Sequence, residues 1–207
     1  MAKKEFQKIN LKGYCLWARI QESMPAGDNK PEGDTICSIM IECPKPIYMK
    51  LKKMGFAGSL KDAEECFGFQ EDGEPKPIPE GLSHLAGKTF ISIKRDVVKT
   101  TSKGVYDFKL PKVVDVHRQP LEADVGNGSS VITRSEIIPY AAGKGYKAGI
   151  KLNLLAVQVL DLIEYVKPEY DDSDDFEGFE DVPVSSDSDV NFDDVPFDVD
   201  PIDPAFG

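Results

Sequence analysis

The chain has 207 residues, room for one ordinary globular domain and an appendage, and its hydrophobic content of 41% suffices for a packed core. Its net charge of −11 conceals two parts of opposite sign: all 25 Lys and Arg lie at or before Lys167, against 21 acids there, whereas the other 15 of the 36 acids lie in Glu169–Asp203. No stretch approaches the ~20 apolar residues of a membrane helix, and Met1-Ala2-Lys3-Lys4-Glu5 has no apolar run behind it, so no signal peptide is expected and the chain reads as a cytoplasmic protein without a membrane partner.

From Lys8 to Ile20 the residues alternate, with Ile9, Leu11, Cys15 and Trp17 on one side and Lys8, Asn10, Lys12 and Tyr14 on the other, the pattern of a half-buried strand. A turn-rich stretch from Pro25 to Gly33 leads to a second β-type run, Thr35–Cys43, bounded by Pro44. Ile47–Met54 reads as a short helix ended at Gly55, Leu60–Phe67 as a further turn, and the proline-bearing stretch Gln70–Gly87 as a loop. Two strands, Lys88–Lys99 and Val105–Val116, follow as a hairpin about Thr-Thr-Ser-Lys-Gly, in the manner of a meander. After the Gly126-Asn127-Gly128 turn come a strand at Ser130–Tyr140 and a long closing strand at Ala148–Val166. Leu152–Leu162 is apolar at nearly every position, so periodicity alone also fits a buried helix there.

The fold expected is therefore mainly β: a small closed barrel of five to six strands with one short capping helix, for which the OB type is the commonest architecture that handles oligonucleotides. The domain would occupy residues 1–167. Residues 168–207 carry many Asp, several Pro and Ser and no cation, and are expected to be a disordered tail, since they cannot bury enough surface to offset ordering entropy. Phe176, Phe179, Phe192, Phe197 and Phe206 punctuate it as recognition points or as solvated spacers.

Binding single strands without sequence preference needs cations for the phosphates and exposed rings for the bases along one groove. One cluster, Lys88, Lys94, Arg95, Lys99, Lys103, Lys109, Lys112 and Arg118, encloses Tyr106 and Phe108. Another, Arg134, Lys144, Lys147 and Lys151, surrounds Tyr140 and Tyr146, which flank a glycine-rich loop, and Lys12 with Tyr14 extends the surface. Charged residues on a strand face ordinarily serve only solubility, and Phe108 and Trp17 occupy apolar registers that assign them to the core. No enzyme signature competes: GxxxxGK[ST], HExxH and Gly-x-Ser-x-Gly are absent, and His84 and His117 have no nucleophile beside them in sequence. Cys15, Cys37, Cys43 and Cys66 form no CxxC pair, so neither zinc nor any other cofactor is expected and the thiols should stay reduced. Asp172-Ser173-Asp174-Asp175 lacks the spacing of a calcium loop.

The order of features resembles the single-stranded DNA-binding proteins of T-seven-like short-tailed bacteriophages. The residues that carry the resemblance are Met1-Ala2-Lys3-Lys4, Val113-Val114-Asp115, Pro120-Leu121-Glu122-Ala123-Asp124-Val125 with the Gly126-Asn127-Gly128-Ser129 turn, Ile138-Pro139-Tyr140, and Gly149-Ile150-Lys151-Leu152, with an acidic tail ending near an aromatic. The resemblance implies an OB barrel with a capping helix and a Tyr140 that stacks on DNA. The family's aromatic two positions on is replaced here by Ala142, with Tyr146 as the candidate substitute, and Phe206 is followed by Gly207. Asp193-Asp194-Val195-Pro196-Phe197 is similar to the tip of bacterial single-strand binders, so Phe197 and Phe206, with Asp193, Asp194 and Asp203, are the candidate partner hooks.

By that resemblance the protein serves phage DNA replication, recombination and repair in the host bacterial cytoplasm. Its partners would be single-stranded DNA, the phage DNA polymerase and the helicase or primase, the last three reached through the acidic tail, and a second copy in a homodimer. The tail would fold over the basic groove as a competing polyanion at a tethered concentration of about millimolar. The alternatives are an acidic adaptor or nucleic-acid-mimicking inhibitor of a host protein, and a metal-dependent nuclease that no motif supports.

Overall fold

Alternation of aliphatic and polar side chains drives most of the chain into strands, and two breaks in that alternation shape the barrel. The computed structural model describes residues 6–28, 30–143, 145 and 147–166, which fall in one compact unit, Met1–Lys167. The tail, with Asp193, Asp194, Phe197, Asp203 and Phe206, lies outside the described residues, as do Lys144 and Tyr146.

The elements are β1 (Lys8–Pro25), β2 (Thr35–Glu42), α1 (Lys45–Lys53), β3 (Lys61–Asp62), β4 (Thr89–Thr101), β5 (Gly104–Asp107), β6 (Lys112–Val114), β7 (Ser130–Tyr140) and β8 (Gly149–Asp161), with 3₁₀ turns at Glu64–Phe67 and Glu80–Leu85. β4 pairs antiparallel with β2, β2 with β1, β1 with β7 and β7 with β8, and a parallel pairing of Lys94 with Asn153 joins β8 to β4. Five strands thus close in the order β1-β2-β4-β8-β7, the Greek-key connectivity of an OB barrel.

The barrel core combines Leu11, Cys15 and Ile20 of β1, Ile39 and Ile41 of β2, Ile91 and Ile93 of β4, Val131 and Ile137 of β7, and Ile150, Leu152, Leu154, Val157 and Val159 of β8. Helix α1 closes one end: Leu51 and the following Phe56 join this core, and Phe56 bridges to Ile150. The turn after α1 passes so close to β8 that a methyl group on Gly149 would strike the Gly55 carbonyl oxygen and lie 2.8 Å from the Tyr140 hydroxyl. A second, external cluster forms where residues 63–90 fold over the barrel wall, burying Leu16, Ala63, Leu85 and Phe90.

Three expectations are corrected. The run from Val105 is no single strand: β5 ends at Asp107, and β6 crosses to pair in parallel with β8, because pairing beside β8 satisfies the backbone of residues 112–114. The stretch read as loop, Gln70–Gly87, contains the 3₁₀ turn Glu80–Leu85, which places Leu85 in the external cluster. Trp17 and Phe108 are not core residues but are 47% and 42% exposed. For Trp17 the cause is an irregularity in β1: Leu16 pairs with Met40 and Arg19 with Ser38, one residue more on β1 than on β2, and Trp17 takes φ +50°. Leu16 is thereby buried on the outer wall and Trp17 is turned outward.

Candidate nucleic-acid interface

Inward-facing Cys37, Ile39 and Ile93 are buried, so their alternates Ser38, Met40, Ser92 and Lys94 point away from the core. Pairing aligns Arg19, Ser38 and Lys94 in one row across β1, β2 and β4. A register shift between Thr35 and Ile36 opposite β4 lets Val97 stay buried while Lys99 returns to the outer side beside Asp96. There Asp96 Oδ2 accepts hydrogen bonds from Lys99 Nζ at 3.1 Å and Lys151 Nζ at 3.2 Å. Burial disfavours ionisation of this carboxyl, but the charges of Lys151 and Lys99 and their hydrogen bonds outweigh it and hold its pKa below the ordinary value.

Lys99 is opposite Tyr106 in the β4–β5 hairpin. The Tyr106 and Phe108 rings lie nearly parallel, 15° apart with centroids at 6.2 Å, and a cleft of about 400 Å³ is lined by Lys99, Thr101, Ser102, Lys103, Tyr106 and Phe108. Both residues are more than two-fifths exposed, although burial in a core would gain more for a phenylalanine than this open position. The face therefore offers cations at the spacing of strand rows, ending on flat apolar surfaces: a polyanion bearing planar groups matches it.

The other predicted residues are distributed differently. Arg95 is half-buried and donates from Nε to the Lys109 carbonyl (2.6 Å) and from Nη1 to the Leu154 carbonyl (3.0 Å), so it ties β4 to its neighbours, while the Lys109 side chain is exposed. Tyr14 is half-buried beneath the 80–88 segment, edge-on to His84 at 4.8 Å with Lys88 Nζ 5.0 Å over its ring, and Lys88 also pairs with Glu42 at 3.0 Å. Lys12, Lys112 and Arg134 are exposed on the β1–β7–β8–β6 part of the circumference, where Arg134 and Lys112 flank Ala156 in one row. Tyr140 is half-buried over Gly149, and Lys147 is exposed in the β7–β8 connection. The predicted set is thus divided: Lys94, Lys99, Lys103 and Tyr106 come together, joined by Lys151, whereas Lys12, Lys112 and Arg134 lie elsewhere.

Sequence reasoning missed Arg19, whose position on this face depends on the β1 irregularity, and misassigned Phe108. The signal available for Phe108 was its i,i+2 spacing from Tyr106 in a hairpin of high cation density. All four cysteines are free, and burial pushes the Cys15 thiol up to about 12 and those of Cys37, Cys43 and Cys66 up to about 11. Among the described residues there is no group of three or more His, Cys, Asp or Glu able to hold a metal ion, and no helix long and apolar enough to cross a membrane.

No family model and no curated protein matches the chain. Among solved structures it is similar to gp2.5, a single-stranded DNA-binding protein encoded by bacteriophage T7, with 15% identity, coverage of 86% of this chain and 97% of that one, and a TM-score of 0.47. It is similar to a C-terminal truncation of the single-stranded DNA-binding protein from bacteriophage Enc34, with 18% identity, coverage of 80% and 95%, and a TM-score of 0.46. The same Enc34 protein in complex with single-stranded DNA covers 81% of this chain and 96% of its own at 16% identity and a TM-score of 0.41.

Proposed function

We propose that the protein binds single-stranded DNA on the outer β2–β4 face, with Arg19, Lys94, Lys99 and Lys151 meeting phosphates and Tyr106 and Phe108 stacking on bases, and that it has no catalytic role. The observation that carries this reading is the continuity of the cation row with the parallel, exposed ring pair of the β4–β5 hairpin. The β2–β4 face of this barrel corresponds to the strand pair that OB folds present to oligonucleotides. Lys103 and Lys109 extend the hairpin's charge, and Tyr140 with Lys147 would meet the strand where it leaves the barrel.

Charge supports a role for the tail as well. Its 15 acids without a cation face a body with a surplus of four positive charges, so it would compete with DNA for the same lysines until a strand displaces it. Released, its acidic phenylalanine segments would recruit the replication polymerase and helicase or primase and link two subunits in a homodimer. The test is an anisotropy titration of the full chain, and of the chain ended after Lys167, against labelled oligo-dT and its duplex. Expected are salt-sensitive, micromolar or tighter binding that favours the single strand and tightening on tail removal. No binding by either form would sink the reading and favour an acidic adaptor; weaker binding without the tail would sink the competition alone.

A further inference from the structure

We infer that Trp17 is a second base-stacking platform, set at the β1 edge of the same face on the far side of the cation row from Tyr106 and Phe108; this rests on the proposed single-strand binding. A bulky residue with positive φ is an outlier that the surrounding structure must impose, and here three contacts impose it. The Trp17 backbone N–H donates to Asn127 Oδ1 at 2.7 Å, the indole Nε1–H donates to the Cys66 carbonyl at 3.0 Å, and the indole meets Phe67 edge-on at 5.9 Å. Asn127 is itself locked, because the flanking Gly126 N–H donates to the Ile163 carbonyl and the Gly128 N–H to the Cys15 carbonyl.

Residues so arranged usually bury what they hold, yet Trp17 as a residue remains 47% exposed, with the one polar atom of its indole already satisfied inside the protein. What it presents outward is therefore apolar ring, held rigidly, two residues from Arg19 in the row that continues through Ser38 to Lys94. A rigid ring beside phosphate-binding cations fits a nucleobase, since stacking gains contact area without further loss of side-chain freedom. Trp17 and the Tyr106–Phe108 pair are three strand spacings apart across β1, β2, β4 and β5, and pairing sets Trp17 near the level of Ser92 but Tyr106 opposite Lys99; the separation is therefore on the order of 25 Å, a path that several nucleotides bridge.

Trp17 is the sole tryptophan of the chain, so its emission reports its own surroundings. The experiment titrates the full chain with labelled oligo-dT while following both label anisotropy and tryptophan emission, and repeats it with an abasic strand of equal length. The inference requires quenching in step with binding of oligo-dT but not of the abasic strand, and a loss of about 5- to 100-fold in affinity for Trp17→Ala, largely recovered in Trp17→Phe. Binding with unchanged emission overturns it, as does equal quenching by the abasic strand, while leaving the single-strand reading intact. Should Trp17→Ala fail to fold by circular dichroism, the wild-type emission with the two strands decides the matter. Absence of any anisotropy change instead removes the reading on which the inference rests.

Discussion

At Asp96 a single carboxylate holds Lys99 and Lys151, two of the lysines proposed to meet phosphate, so under that proposal it competes with the strand for them. Asp96→Asn should leave both lysines unpaired and tighten oligo-dT binding several-fold at low salt; affinity unchanged or weakened would show that the ion pairs instead orient the lysines for the strand. Because the Asp96 pKa is lowered on folding, its contribution to stability is complete above the ordinary value of 3.8 and disappears as pH falls through the depressed value. Acid melts of the parent and Asp96→Asn should therefore converge below that value and differ near neutrality. Truncating the ring pair is expected to act on the strand alone: Tyr106→Ala and Phe108→Ala, both exposed, should each cost about 1–3 kcal/mol of oligo-dT affinity with little change in melting temperature. A large drop in melting temperature would mean the hairpin serves the fold.

The strands show how one extra residue changes what a side chain does. In β7–β8 pairing, Ser135 is opposite Leu154 but Arg134 opposite Ala156, so Leu155 is the additional residue and the inward set shifts from Ile150, Leu152 and Leu154 to Val157 and Val159. That shift of parity places apolar residues at consecutive positions and explains why Leu152–Leu162 also fits a helical pattern in sequence. The hairpin about Thr-Thr-Ser-Lys-Gly and the strand Ser130–Tyr140 were legible because turn chemistry and alternation agree there. The helix end at Gly55 was legible too, since Gly55 adopts φ +91°. The contact of Gly149 with Gly55 and Tyr140 was not, as the partners are distant in sequence. Gly149→Ala should destabilise the protein by about 1–3 kcal/mol or more, read in thermal unfolding, because backbone on one side and a ring on the other leave the methyl nowhere to go. A neutral result would mean that the α1 end of the barrel relaxes freely.

For the whole molecule, the quantity that tests the assembled face is the dependence of affinity on salt. Four lysine and arginine side chains engaged together, Arg19, Lys94, Lys99 and Lys151, contribute about −2.8 to the slope of log affinity against log salt for a single strand, and Lys103, Lys109 and Lys147 steepen it further. Charge-removing changes at Lys12, Lys112 and Arg134 should leave that slope nearly unchanged, since those side chains stand on another part of the circumference. A slope that falls equally for both sets would mean that the strand wraps the barrel.

By itself the sequence determined the β class, the order of most strands, the short helix and the separation of charge between residues 1–167 and the acidic remainder, because these follow from local alternation, turn residues and composition. Only the tertiary structure decided which cations share a face, that Tyr14 and Arg95 are engaged by their own protein, and that Trp17 and Phe108 stand in solvent. The physical reason is register: two strand irregularities and one parallel closure reverse or align side chains whose sequence neighbours give no sign of it.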